Sequence, residues 1–511
     1  MAVPVTVAVT VAAAVTVTVA VDVTVAVAGV IQSATATTTA TKTSTETTTT
    51  TAPVPLGCEA RRCRAQAAVL YRFDRPEPGR GLRANHVKFR LIYPKWPKLA
   101  GQTEFHLPPH GPVVFAAALP SDIEVDFVDE NVEPLDFDAP VDCVGLSMML
   151  TGQVKRGWAI ADEYRRRGVP VICGGIATTL HAEETLAHAD AVFLGEAEGR
   201  MEEVFADLRA GKLRPTYDYL ERPAPVELVG PARRSILRRE LYNYKGVRMV
   251  DLFHASRGCR FNCYPCAVRY LGGRCFRPRP LDRVVEELAG IDNNRLFIVD
   301  NSLAQDKQWE LDLFREMIPL KKKWCSHPIE DDDQVLDLAA QAGAWYVYQA
   351  IFDTSDFIRR RIERYHAHGI AVEGTILLGL DEHSEDDIKR LVDFLLDIEL
   401  DLAEFTVLTP FPHTRSRDDL VKEGRILTSD WDLYTADHVV FQPRHMTPER
   451  LQELYRYAWN VFYRDAPQTH KMYRLLQKVV AQEMADGSFV PRRQDLARTR
   501  FGRPAPGEKA G

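Results

Sequence analysis

Between Val247 and Phe411 the chain sets out six strand-like runs: VRMVDLFHAS, RLFIVDNS, KKWCSHPI, AWYVYQAIF, IAVEGTILLG and LAEFTVLTPF. Helical stretches separate them, LDRVVEELAG, KQWELDLFREMIPL, DDQVLDLAAQAG, SDFIRRRIERYHAHG and SEDDIKRLVDFLLDI, several with Asp or Ser at the start and Gly at the end, where caps belong. A helix between consecutive strands returns the chain to the same edge, so the strands run parallel. Six such units predict a partial (β/α)6 barrel over 247–413, TIM-like but open, with its chemistry on the loops after the strands.

The same alternation occurs upstream. VKFRLIYP, IEVDFVDEN, VDCVGLSMML, VPVICGG and DAVFLGE read as strands, with HGPVVFAAALP, QVKRGWAIADEYRRRG, AEETLAHA and GRMEEVFADLRAG as helices. This predicts an α/β, doubly wound, Rossmann-like domain over 86–215. Ligands of such sheets sit beyond the carboxyl ends of the strands, here Ser147 to Gly152, Gly174 to Thr179 and Gly195 to Gly199. Glycine there either admits a flat or phosphate-bearing ligand close to the backbone or only makes a tight turn. Residues 216–246 carry prolines and no period, and read as a linker.

Residues 1–55 are almost entirely Val, Ala and Thr at first and read as low-complexity and disordered. A membrane span needs about 20 predominantly apolar residues, whereas Thr recurs throughout this tract and Asp22 interrupts it. Residues 414–465 read as a helical C-terminal region, and 466–511 as a tail, partly helical and then disordered. A formal charge of -7 gives no reason to expect nucleic acid or an anionic membrane as a partner. The 9 cysteines, odd in number and with one tight group, oppose a secreted disulfide framework and favour a reducing, cytoplasmic setting.

That group is SRGCRFNCYPCAVRY: Cys259, Cys263 and Cys266, directly after the first barrel strand. Structural zinc takes four ligands from paired half-sites, which C-x3-C-x2-C alone does not offer. A four-thiolate iron–sulfur cluster for electron transfer needs one more cysteine, Cys275 or Cys325. The third reading is a four-iron cluster held by three thiolates, its last iron open to a chelating ligand.

C-x3-C-x2-C after the first strand of a six-unit barrel resembles the radical S-adenosylmethionine (SAM) superfamily. The resemblance implies that Cys259, Cys263 and Cys266 ligate a [4Fe-4S] cluster whose open iron chelates SAM. Reductive cleavage then yields a 5′-deoxyadenosyl radical, with the electron from a donor such as flavodoxin or ferredoxin. It further implies SAM contacts at Asp300 and Asn301 after the second strand, at Ser326 and His327 after the third and at Tyr348 and Gln349 on the fourth.

LSMMLTG, VICGGIATTLHAEET and ADAVFLGEAEG resemble the cobalamin-binding domain that precedes the barrel in one radical SAM subclass, which includes anaerobic magnesium-protoporphyrin ester cyclase and hopanoid methylases. On that resemblance Ser147, Leu150, Thr151, Gly174, Gly175, Gly195 and Glu196 would bind cobalamin. The D-x-H-x-x-G segment that supplies an axial histidine in some cobalamin proteins is missing. The lower face of the cobalt would then see Leu150, Thr151 or water. The parts suit methylation of an unactivated carbon in a small-molecule or natural-product substrate; a radical cyclisation or rearrangement would use the same parts.

Overall fold

The computed structural model describes residues 87–97, 107–242 and 250–489. The low-complexity tract 1–55 and the disordered end expected of the tail lie outside the described residues.

The first sheet contains β1 (Val87–Tyr93), β2 (Ile123–Asp129), β3 (Cys143–Ser147), β4 (Val171–Gly174), β5 (Ala191–Leu194) and β6 (Thr216–Asp218). All pairings are parallel, in the order β2-β1-β3-β4-β5-β6. The inner strands β3, β4 and β5 are apolar on both sides because both faces are covered. Phe89 and Leu91 pack with Phe205 on one face, and Val144 and Leu146 pack with Ile160 on the other. Since β1 lies between β2 and β3, the connections diverge there and open a crevice at the carboxyl ends.

The expected linker does not begin at 216: Thr216–Asp218 is the sixth strand, with Val192 opposite Thr216 and Leu194 opposite Asp218. Of its residues only Tyr217 is buried. A strand this short, at an edge and polar at both ends, leaves no periodic signal to read.

In chain order there follow β7 (Asp251–Phe253), a separate antiparallel ladder of β8 (Ser256–Arg257) and β9 (Arg277–Pro278), then β10 (Arg295–Ile298), β11 (Lys323–Ser326), β12 (Ala344–Ala350), β13 (Ala371–Leu378) and β14 (Leu402–Val407) of the second sheet. Leaving the ladder aside, its order is β14-β13-β12-β11-β10-β7, each strand parallel to the next, as an open barrel of sequential βα units requires. The helices between strands begin on the expected caps: Asp306, Asp332, Ser355 and Ser384 each accept a backbone N–H in the first turn. Further on, Thr447 caps Pro448–Phe462 in the same way.

Alternate residues face opposite sides of this sheet. Leu296, Trp324, Val347 and Ile376 pack outward beneath the helices, while Leu252, Phe297, Cys325 and Tyr348 face the interior. The interior has a cover that the sequence does not reveal. Within the expected tail, Gln468–Ala485 is a helix whose Met472, Leu475, Leu476 and Val479 pack on those interior residues. Glu483 on this helix holds Arg295 of β10 through both carboxylate oxygens, at 3.1 and 2.7 Å.

Candidate active site

β7 ends at Phe253, and five residues later the cysteine loop begins. Gly258 makes the entry possible: its φ is +73°, and a Cβ there would fall 2.1 Å from the carbonyl oxygen of Cys275. Cys259 and Cys263 are buried and Cys266 is half-buried; Phe261 and Val268 pack with Cys259 and Cys266. The Val268 N–H donates to Cys266 Sγ at 3.0 Å. Three soft donors on one loop at the barrel mouth fit an iron–sulfur cluster. Among the described residues no three His, Cys, Asp or Glu side chains converge on a point, as a single zinc ion would require. Cys275 is exposed, and Cys325 is buried in β11, where burial pushes its thiol far up. Between the cysteines Phe261 is half-buried and Pro265 buried, whereas Tyr264 stands out to solvent.

The expected SAM contacts divide. Asp300 and Asn301 line a cavity beside the loop, but Asp300 is also a brace. Its carboxylate accepts the Ala255 N–H at 2.8 Å and the Ser256 hydroxyl, and burial pushes it up to about 6. Gln305, which sequence reading passed over, adds a second brace: its Oε1 accepts the Arg260 N–H at 2.9 Å and its Nε2 donates to the Ser302 carbonyl at 2.8 Å. Tyr348 faces the interior, its hydroxyl 3.0 Å from that of Tyr346. Ser326 does not: on the same face as Trp324, it gives its hydroxyl to the His327 carbonyl at 2.7 Å. Gln349 shares the face of Val347, opposite Tyr348, and donates to the Ala350 carbonyl at 3.3 Å. At the end of β11 the interior position belongs to His327, whose ring meets Phe297 and Tyr348 at 5.5 and 5.9 Å. Burial lowers it to about 4, so its imidazole is neutral, with Nδ1 donating to the Asp300 carbonyl.

One layer into the barrel lies Glu373, opposite Tyr348 in the strand register. Both its oxygens are shielded from solvent without a close hydrogen-bond donor, and burial pushes the acid up to about 8, the nearby Tyr348 hydroxyl pulling the other way. A folded value above the ordinary 4.5 means that the folded protein keeps a proton the unfolded chain releases; the stabilisation is whole below 4.5 and is lost as pH rises through 8. Glu373→Gln should therefore gain on the wild type by roughly 3 kcal/mol between pH 5 and pH 7.5 in urea unfolding. A gap that does not change with pH would remove the buried-acid reading.

Between the carboxyl ends of the first sheet and the cysteine loop is a cavity of about 390 Å³. Its lining includes the apolar Phe89, Phe115, Phe193 and Phe205 and the polar His110, Ser147, His254 and Arg257. Ser147, Gly174, Gly175, Gly195 and Glu196, the residues expected to meet cobalamin, all line it. Leu150 and Thr151 do not. The Leu150 side chain is buried in the sheet's core and the Thr151 hydroxyl lies 3.2 Å from His181 Nε2, so neither can face a ligand in this cavity. The loop is turned inward by Gln153, whose Oε1 accepts the N–H groups of Met149 and Leu150 at 2.8 and 2.9 Å. Glu196 lines the wall but spends its carboxylate on Arg277 and on the Ala224 N–H. In the lining His110 Nε2 and His254 Nδ1 lie 2.7 Å apart, and burial holds both rings well below the usual histidine range.

A B12 binding domain model matches residues 98–205, the part that supplies most of this cavity. Bacteriochlorophyllide d C-8(2)-methyltransferase of Chlorobaculum tepidum is 25% identical over 367 residues, covering 66% of this chain and 81% of that protein. Hopanoid C-2 methylase of Rhodopseudomonas palustris is 24% identical over 367 residues, 63% of this chain and 66% of that one. Among solved structures, the radical SAM methyltransferase TsrM from Kitasatospora setae, with cobalamin and a [4Fe-4S] cluster bound, matches with a TM-score of 0.56 at 16% identity, over 74% of this chain and 89% of that one. The chain thus carries a B12 binding domain ahead of a six-stranded barrel whose mouth bears C-x3-C-x2-C, and is homologous to bacteriochlorophyllide and hopanoid methylases.

Proposed function

We propose that the chain is a radical SAM methyltransferase acting on an unactivated carbon of a small molecule. The observation that carries this reading is the shared cavity: Ser147, Gly174 and Gly175 from the B12-side strands line the same space as Gly258, Asp300 and Asn301 beside the cysteines. When bound, the cluster with SAM supplies the 5′-deoxyadenosyl radical and cobalamin supplies the methyl group.

The rest is done by this chain's own residues. Cys259, Cys263 and Cys266 would hold the cluster and leave one iron for SAM, while Phe261 and Val268 keep water off the sulfurs. Asp300 and Gln305 stiffen the loop from the β10 side, so that the cysteines stay in place as SAM binds. His327 and Tyr348 form a neutral interior floor with no charge to compete for the SAM sulfonium. An external donor of the flavodoxin or ferredoxin class would supply the electron. The odd count of 9 cysteines supports a cytoplasmic setting, and among the described residues no helix is long and apolar enough to cross a membrane.

Anaerobic reconstitution with iron, sulfide, SAM and hydroxocobalamin tests this reading, with mass spectrometry for 5′-deoxyadenosine and S-adenosylhomocysteine. Both products are expected. Deoxyadenosine alone would replace methyl transfer with a radical cyclisation or rearrangement; neither product would return the cluster to electron transfer.

A further inference from the structure

The segment His254–Gly258, which leads into Cys259, is held from two sides. On the barrel side, Asp300 binds Ala255 and Ser256, and Arg279 donates to the His254 carbonyl at 2.7 Å. The other side belongs to the loop after β5, whose GEAEG sequence carries two carboxylates. Glu198 takes Arg257 in a two-pronged grip at 2.9 and 2.6 Å. Glu196 takes Arg277 at 3.0 Å and lies 3.6 Å from Arg257. Arg257 and Arg277 face each other across the β8–β9 ladder, so both pairs grip one two-stranded unit. Each pair is nearly closed off from water, with side-chain exposures of 14% and 6% for Arg257 and Glu198 and 16% and 15% for Arg277 and Glu196.

A planar guanidinium held by two parallel bonds in a dry site has a defined angle as well as a defined distance. Arg257 is two residues from Cys259, and Gly258 between them is wedged against the carbonyls of Cys275 and Gly272. A displacement of Arg257 therefore reaches the first cysteine with little slack to absorb it. The two carboxylates also line the cavity that the B12-side strands share with the cysteine loop.

We propose that Glu198–Arg257 and Glu196–Arg277 form a latch that sets the distance and angle between the cysteine loop and a corrinoid on the first sheet. Glu196 and Glu198 are thus positioning residues for methyl transfer and not contacts for the cofactor. The inference rests on the cobalamin-dependent reading above. It predicts that weakening the latch uncouples the two halves of the chemistry without emptying either site.

The test uses the full chain, reconstituted with iron, sulfide and cobalamin, as Glu198→Gln and as the double variant Glu198→Met with Arg257→Met. The double variant removes both buried charges together and so leaves none stranded, which protects the fold. Iron and corrinoid content should stay within about twofold of wild type. The magnetic interaction between the reduced cluster and cob(II)alamin, read as line broadening in electron paramagnetic resonance, should weaken in both variants. The S-adenosylhomocysteine to 5′-deoxyadenosine ratio should fall by at least roughly tenfold, the scale of a sub-ångström to 1 Å misplacement. Restoring the pair in reversed order, Glu198→Arg with Arg257→Glu, should recover part of the broadening. Unchanged broadening and an unchanged ratio would overturn the proposal, as would loss of both cofactors from both variants, which is the mark of a merely structural pair. Failure of the wild type itself to retain a corrinoid would overturn the cobalamin reading along with the latch.

Discussion

Replacing Cys263 with serine should strip the reconstituted protein of its iron–sulfur absorption and reduce 5′-deoxyadenosine formation by roughly 100-fold or more, since a hard hydroxyl is a poor substitute for a soft thiolate on iron. Cys259 and Cys266 should behave alike, because a cluster held at three corners does not survive the loss of one. The contrast that gives the result its meaning is Cys275→Ser. Cys275 is exposed, and its carbonyl, not its sulfur, packs on the loop at Gly258. Its replacement should leave iron content and SAM cleavage near wild type. Collapse of the cluster in Cys275→Ser would convert the site into a four-thiolate centre and end the SAM reading.

The second large effect is expected from a single methyl group. Gly175 has φ +96°, and a Cβ there would fall 2.4 Å from the backbone oxygen of Met148. That oxygen accepts the Ala177 N–H at 3.0 Å, and the Met148 N–H donates to the Gly174 carbonyl at 2.9 Å, so the ends of β3 and β4 are stitched together at this point. Backbone cannot step aside as a side-chain tip can. Gly175→Ala should cost about 3 kcal/mol in urea unfolding and lower corrinoid retention with it. Gly168→Ala is the control: its φ is +74°, but nothing lies within 4 Å of the added Cβ. It should cost only about 1 kcal/mol and leave corrinoid retention unchanged. Equal costs for the two would mean that the contact with Met148 is unimportant and only the backbone angle matters.

Side-chain direction explains which of the expected site residues the fold brings to the cavity and which it does not. Asp300 and Asn301 were legible because they follow a strand directly, at the end where ligands gather. Ser326 and Gln349 follow the same rule by position, yet lie on the outward face, one residue away from His327 and Tyr348. A period of two makes a single-residue error a reversal of side. Leu150 and Thr151 stay out of the cavity lining for a different reason: Gln153 and His181, both close in space, hold that loop away from it. Glu198 was within reach, since it sits in the same GEAEG loop as Glu196, but its importance depends on an arginine 59 residues away.

What the sequence determined by itself is whatever depends on neighbours in the chain. Alternation of apolar runs and amphipathic helices makes the parallel sheets, caps and glycines punctuate them, and C-x3-C-x2-C after the first barrel strand sets the three thiolates on one loop. Those are short-range matters of backbone geometry and spacing. The tertiary structure alone decided what is brought against that loop from far away. The 468–485 helix covers the barrel interior because its apolar stripe matches the inward face of strands 66 or more residues earlier, from Leu402 back to Leu252. The Glu198 and Glu196 pairs join the two sheets because burial in a dry seam selects opposite charges, and the spacing of residues in the chain carries no record of which charges will meet.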